Sequence, residues 1–127
     1  MDEPAVRVLT DEDLMAVGMT PGIVRRVAFE SDTYWFGHGL VEPGFMTGWH
    51  HHGDNLTLGY VLSGAFHLEY GPGGSESIDI HAGEYFSVAG GAVHREGTVD
   101  DVPCSVVAVR VGEGPPYLVA MDGPEPG

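Results

Sequence analysis

The residues most able to do chemistry stand together at His50-His51-His52. Side chains of an extended chain alternate between faces, so on a strand His50 and His52 point one way and His51 the other. Two imidazoles roughly 7 Å apart along a strand chelate one ion if a third donor arrives from a neighbouring strand. Neutral imidazole suits a divalent transition metal such as Fe, Mn, Ni, Cu or Zn. The run is internal, short and flanked by Trp49 and Gly53, unlike a purification tag. A His-x-His pair is also what two solvated or hydrogen-bonded histidines look like, so the reading needs independent support. Other chemistries lack their parts. There is no Ser-His-Asp order and no cysteine pair, and Gly71-Pro72-Gly73-Gly74 has neither the Lys nor the following helix of a phosphate loop.

Aiming two histidines inward requires strands, and the composition supplies them. The 20 glycines and 9 prolines punctuate apolar β-branched and aromatic runs, the pattern of an all-β barrel or sandwich. Thr10-Asp11-Glu12-Asp13 before Leu14 predicts a short N-terminal helix, with a Thr cap and acids in the first turn. Gly18 and Pro21-Gly22 end it. From Ile23 the period is two, and strands are predicted over residues 24–29, 33–41, 47–52, 56–62, 65–70, 77–80, 84–88, 93–96 and 104–111. Tyr34, Phe36 and His38 alternate with Trp35 and Gly37, and the period does not say which set faces inward. Cys104 shares a face with Val106 and Ala108 and reads as a buried, inert thiol. His67 and His81 read as surface residues. Tyr117 to Met121 is too apolar for a free tail and is expected to pack, a second subunit being one place for it.

The 127 residues make one domain, divided into an arm and helix (1–22), a barrel (23–112) and a tail (113–127). Five basic against nineteen acidic residues leave a formal charge of −14. Such a surface repels phosphate backbones and anionic lipid, so neither nucleic acid nor membrane is an expected partner. The first ten residues hold no apolar signal core, no stretch is long and apolar enough to span a bilayer, and the single cysteine forms no intrachain disulfide. The expectation is a soluble cytoplasmic protein.

Residues 44–64 carry Gly44, His50, His52 and Gly64 in the spacing G-x5-H-x-H-x4-T-x6-G, and residues 83–98 carry Gly83, Gly91 and His94 in the spacing G-x5-A-x-G-x2-H-x3-T. These two segments, about eighteen residues apart, resemble the two conserved motifs of small single-domain cupins. The resemblance implies a cupin-type double-stranded β-helix, or jelly-roll barrel. It also implies one divalent metal ion on His50, His52 and His94, and a homodimer. Three departures matter. The family's ligating Glu falls on Thr57, its Pro on Ala89 and its closing Asn on Thr98. A Thr hydroxyl replaces a carboxylate poorly, so a three-histidine site without a fourth protein ligand is expected. Three neutral ligands would leave the ion its full charge and favour anionic substrates.

Glu96, two residues past His94, faces the same cavity if the strand continues. There it would serve as a general base or orient a ligand histidine; otherwise it is a surface acid beside Arg95. Asp54 and Asn55 read as loop residues at the barrel mouth. The resulting expectation is a metal-dependent enzyme acting on a small, anionic molecule, with dioxygenase-type chemistry favoured by resemblance to three-histidine cupins. The alternatives are a metal-dependent isomerase, lyase or cyclase, and a non-catalytic module that binds a small ligand or a metal.

Overall fold

Alternating burial from Ile23 onward folds into two antiparallel sheets with their apolar faces together. The computed structural model describes residues 4–18, 20–113 and 118–127. Its strands are β1 (Met15–Val17), β2 (Ile23–Glu30), β3 (Tyr34–Val41), β4 (His50–His51), β5 (Leu56–Ser63), β6 (Ala65–Tyr70), β7 (Glu76–His81), β8 (Tyr85–Val88), β9 (His94–Thr98), β10 (Cys104–Val111) and β11 (Val119–Ala120). One sheet runs β1-β2-β3-β10-β5-β8 and the other β11-β4-β9-β6-β7. Late strands thus insert between early ones, β10 between β3 and β5 and β9 between β4 and β6, the jelly-roll order.

Between the sheets lies a core of Ile23, Val41, Val61, Phe66, Leu68, Ile80, Cys104 and Val106, with Phe86 and Val88 packed on it. In β3 it is Trp35, Gly37 and Val41 that turn inward, while Tyr34, Phe36 and Leu40 are exposed on the outer face. Cys104 is fully buried, and burial pushes its thiol up to about 11, so it is not a nucleophile at neutral pH.

The expected N-terminal helix does not form. The Thr10 N–H and hydroxyl both donate to the Asp13 carboxylate, at 2.8 and 3.0 Å, but they close only one 3-10 turn over Asp11–Asp13. Leu14 is already extended, and Met15–Val17 pairs with Val27–Arg25 at the sheet edge. The stretch from Thr10 to Gly18 is too short to repay helix nucleation, whereas the edge of β2 offers ready backbone partners. The strand predicted over 47–52 is also shorter than expected. Met46 bridges Gly97 and the Thr47 N–H donates to the Glu96 carbonyl, and regular pairing resumes only at His50 opposite His94. At the other end of the chain, Val119 and Ala120 pair with His51 and His50, so this part of the tail packs on its own chain; Tyr117 lies outside the described residues. Among those residues no helix is long and apolar enough to cross a membrane.

The corner between β5 and β6 depends on Gly64. Its φ is +74°, and a Cβ there would press against the Pro103 carbonyl oxygen and the Cys104 Cα. Gly64→Ala combines a left-handed conformation with a backbone clash and is expected to cost about 1–3 kcal/mol, read as a lowered midpoint in urea unfolding.

Candidate metal centre

Antiparallel pairing of β4 with β9 sets His50 directly opposite His94. Their ring centroids lie 4.4 Å apart, and His52 joins them at 5.1 and 5.4 Å. His51, on the opposite face, accepts the Gly53 N–H instead. Glu96 follows His94 by two positions on β9 and therefore points into the same interior. Its backbone is clamped there: its N–H donates to the Thr47 hydroxyl at 3.0 Å, and its carbonyl accepts from the Thr47 N–H at 2.8 Å. One donor atom from each of His50, His52, His94 and Glu96 lies within 4.8 Å of the others. All four residues are buried.

The local chain decides which ring nitrogens are free. His50 Nδ1 lies 2.8 Å from the Gly48 carbonyl, and His94 Nδ1 lies 2.8 Å from the Ala92 carbonyl. A carbonyl only accepts, so each Nδ1 carries the proton, and in the neutral form of either ring the lone pair is on Nε2. Burial, then the charge of Arg110, lowers His52 to about 2, and burial above all lowers His94, so both rings are uncharged at neutral pH. The Arg25 guanidinium lies 3.7 Å from the Glu96 carboxylate. His50 Nε2 sits 3.2 Å from Glu96 Oε1 without a hydrogen bond, and His52 Nδ1 is buried with no partner. Partnerless buried polar atoms are rare. An Nε2 lone pair facing a carboxylate, beside a second buried nitrogen without a partner, is a donor set that a divalent cation fits.

Glu96 thus brings a carboxylate into the cluster from β9, although the motif position on β5 holds Thr57, which is buried with its hydroxyl unpartnered. Sequence reasoning missed two cations on the inner walls. Arg25 follows Ile23 inward and donates to the Thr20 hydroxyl at 2.6 Å. Arg110 follows Cys104, Val106 and Ala108 on the inner face of β10, where the period-two pattern already placed it. A cavity of about 50 Å³ lies among these side chains, His52, His94 and Glu96. Where the edge strands β7 and β8 part, a cleft of about 460 Å³ shares Leu68, Phe86, Val88 and His94 with that cavity.

Comparison with known proteins gives a consistent picture. A family model described as a cupin domain matches residues 37–110, more than half of the chain. Among solved structures, an uncharacterized conserved protein with a double-stranded β-helix domain from Klebsiella pneumoniae is 17% identical, with a TM-score of 0.72 over 92% of this chain and 98% of that one. KdgF from Halomonas sp. is 18% identical, with a TM-score of 0.65 over 80% of this chain and 92% of that one. Oxalate decarboxylase from Bacillus subtilis is 20% identical, with a TM-score of 0.68 over 81% of this chain but only 28% of that one. At these identities the likeness shows the fold alone. No curated protein matches the chain.

The other histidines lie outside the cluster. On the outer face His38 Nδ1 lies 3.2 Å from the Arg26 guanidinium, which only donates. Its Nε2 therefore carries the proton and donates to the Ser105 hydroxyl, the wrong tautomer to activate a serine. His81 is exposed beside Glu84. His67, expected at the surface, is half-buried with Nδ1 2.6 Å from Asp79 and Nε2 2.9 Å from Glu69. The hydrogen bond to Asp79 raises its pKa above the ordinary 6.5, burial opposes this, and the hydrogen bond to Glu69 adds to the rise. The folded-state value being the higher one, this contribution to stability is fully present below about pH 6.5 and is lost as the pH rises through the folded value. An NMR titration of the His67 ring is expected to give a midpoint above 6.5, and Asp79→Asn to lower it.

Proposed function

Since the chain belongs to the cupin family, we propose that it is a metal-dependent enzyme acting on a small molecule at His50, His52, His94 and Glu96, with dioxygenase-type oxygen chemistry favoured. The observation that carries this reading is the four-residue donor cluster itself, within which His50 Nε2 and His52 Nδ1 are buried without a hydrogen-bond partner. A divalent ion held there would supply Lewis acidity and, if it is redox-active, reactivity toward O2. The Mn(II) centres of the Bacillus subtilis oxalate decarboxylase lend support for a divalent ion on this fold. With Glu96 as a fourth donor the centre keeps less net positive charge than a three-histidine site, so any preference for an anion must come from other residues as well.

The chain's own residues do three things. Gly48 and Ala92 hold the His50 and His94 rings in the donor tautomer. Thr47 fixes the strand that carries Glu96. Phe66, Leu68, Phe86, Val88 and Val106 line the cavity with apolar surface. The competing isomerase or lyase reading needs a protein group to move a proton. Glu96 already belongs to the donor set, and the other charged side chains lining the cavity beside the cluster, Arg25 and Arg110, do not give up protons at neutral pH. That favours chemistry at the metal and its co-substrate. The outer face of the six-stranded sheet presents Tyr34, Phe36, Leu40, Leu56 and Leu58 at 37–43% exposure, and we propose it as the face that pairs in a homodimer, to be checked by sedimentation.

Plasma mass spectrometry of untagged protein is expected to find roughly one equivalent of a divalent transition metal, absent from a His50→Ala/His94→Ala variant. Glu96→Gln should weaken metal affinity by at least the roughly 10–100-fold lost when a group supporting a metal ligand is removed. O2 uptake by the iron-loaded protein with a small organic acid would support the oxygenase reading. Turnover without O2 would favour an isomerase or lyase, and ligand-induced stabilisation with no product would favour a binding module.

A further inference from the structure

Arg110 is a buried cation with no ion pair in contact: the Glu96 carboxylate favours its charge only from a distance, and Arg25 opposes it. It is 8% exposed, its Nε has no hydrogen-bond partner, and its guanidinium lies over the Trp35 ring, 5.2 Å away. No carbonyl or carboxylate of the described residues accepts from its guanidinium. Arg25, by contrast, has Glu96 at 3.7 Å and the Thr20 hydroxyl at 2.6 Å. A buried charge without a contacting partner is costly, and such groups mark candidate ligand sites. Burial lowers Arg110 only to about 10, so it stays charged at neutral pH.

Across the ladder, Arg110 stands opposite Thr57. Both side chains face the inner cavity, and Thr57 Oγ1 is likewise buried without a partner. A planar fork of N–H donors beside a hydroxyl donor matches the two oxygens of a carboxylate. The space is small but real. A Cβ built on Gly39, on the same wall, would meet nothing within 4 Å, and the cavity's 50 Å³ amounts to roughly four water-sized positions. That space is enough for a short organic acid.

We propose that Arg110 and Thr57 form an anion subsite that holds the carboxylate of a short organic acid beside the His/Glu cluster. The subsite stands on its own geometry. Only the role of the ligand's other end, at the cluster, rests on the metal-centre reading. Thr57 then has a use in the place where a cupin motif carries Glu: a protein carboxylate at that position would neutralise Arg110 itself and close the subsite.

The test uses full-length, untagged protein whose metal content is measured in every sample. Acetate and glycolate are titrated beside their neutral counterparts, acetamide and glycolamide, by calorimetry and by thermal unfolding. The acids are expected to bind and raise Tm, and the amides to do neither. Arg110→Met, which keeps bulk and removes the charge, should keep the metal and fold with an unchanged or higher ligand-free Tm. Its acetate affinity should fall about 10–100-fold, the worth of one or two hydrogen bonds to a charged group. Thr57→Glu should also lose acetate binding while retaining the metal. Equal binding of acids and amides, wild-type acetate affinity in Arg110→Met, or a ligand-free Tm several degrees lower in that variant would each overturn the proposal, the last by making Arg110 structural. Metal bound without acid selectivity sinks the subsite and leaves the metal reading intact. Arg110-dependent acetate binding to a protein without metal does the reverse.

Discussion

The hydrogen bonds from His50 Nδ1 to the Gly48 carbonyl and from His94 Nδ1 to the Ala92 carbonyl orient the interior. Each is local, reaching two residues back along the chain, and each depends on the backbone entering its strand at a fixed angle. Gly48 and Ala92 therefore act through their carbonyls, which a side-chain view of the site overlooks. With the protons held on the Nδ1 side, two lone pairs converge toward a carboxylate, and the interior acquires a place that attracts a cation. Without those bonds either ring could turn its N–H toward Glu96 and satisfy it with a hydrogen bond, removing the need for an ion.

Between the sheets, apolar and polar sectors divide the space. Val61, Phe66, Ile80, Cys104 and Val106 pack as an ordinary core, while His50, His52, Thr57, His94, Glu96 and Arg110 are just as buried. Those polar groups contribute little to folding on their own, because desolvation consumes most of what their interactions return. A domain of this size has a stability of only about 5–15 kcal/mol, so a partly unsatisfied polar sector is a sizeable burden. The apolar sector and the long ladders of β3, β10 and β5 offset it.

Much of this was legible in the sequence, for definite reasons. His50 and His52 share a face because strands alternate, and the same rule carried Glu96 inward after His94. The alternation in β10 placed Arg110 inside as well, but a lone Arg in an apolar strand gives no signal of purpose until its neighbours are known. The identity of those neighbours was not legible: that Arg110 faces Thr57 and Trp35 depends on strand order and register, which a single strand's period does not encode. The N-terminal helix was misread because a capping box reports how a turn begins and not how far it runs. Which set of β3 turns inward was equally undetermined until packing placed the Trp35 ring between the sheets.

The pairing of β11 with β4 ties the far end of the chain to its centre. Val119 and Ala120 cover the outer edge of the strand that bears His50, and the Met121 N–H donates to the Trp49 carbonyl at 2.9 Å. β4 is only two residues long, so without this cover it would be held on one side alone, and its free edge would be open to a strand from another molecule. Val119 to Met121 thus act as a splint on the strand that carries His50. Anything fused close behind them would pull on the geometry of the centre from some seventy positions away in sequence, a distance the hydrogen-bond ladder shortens to a single strand spacing of about 4.8 Å.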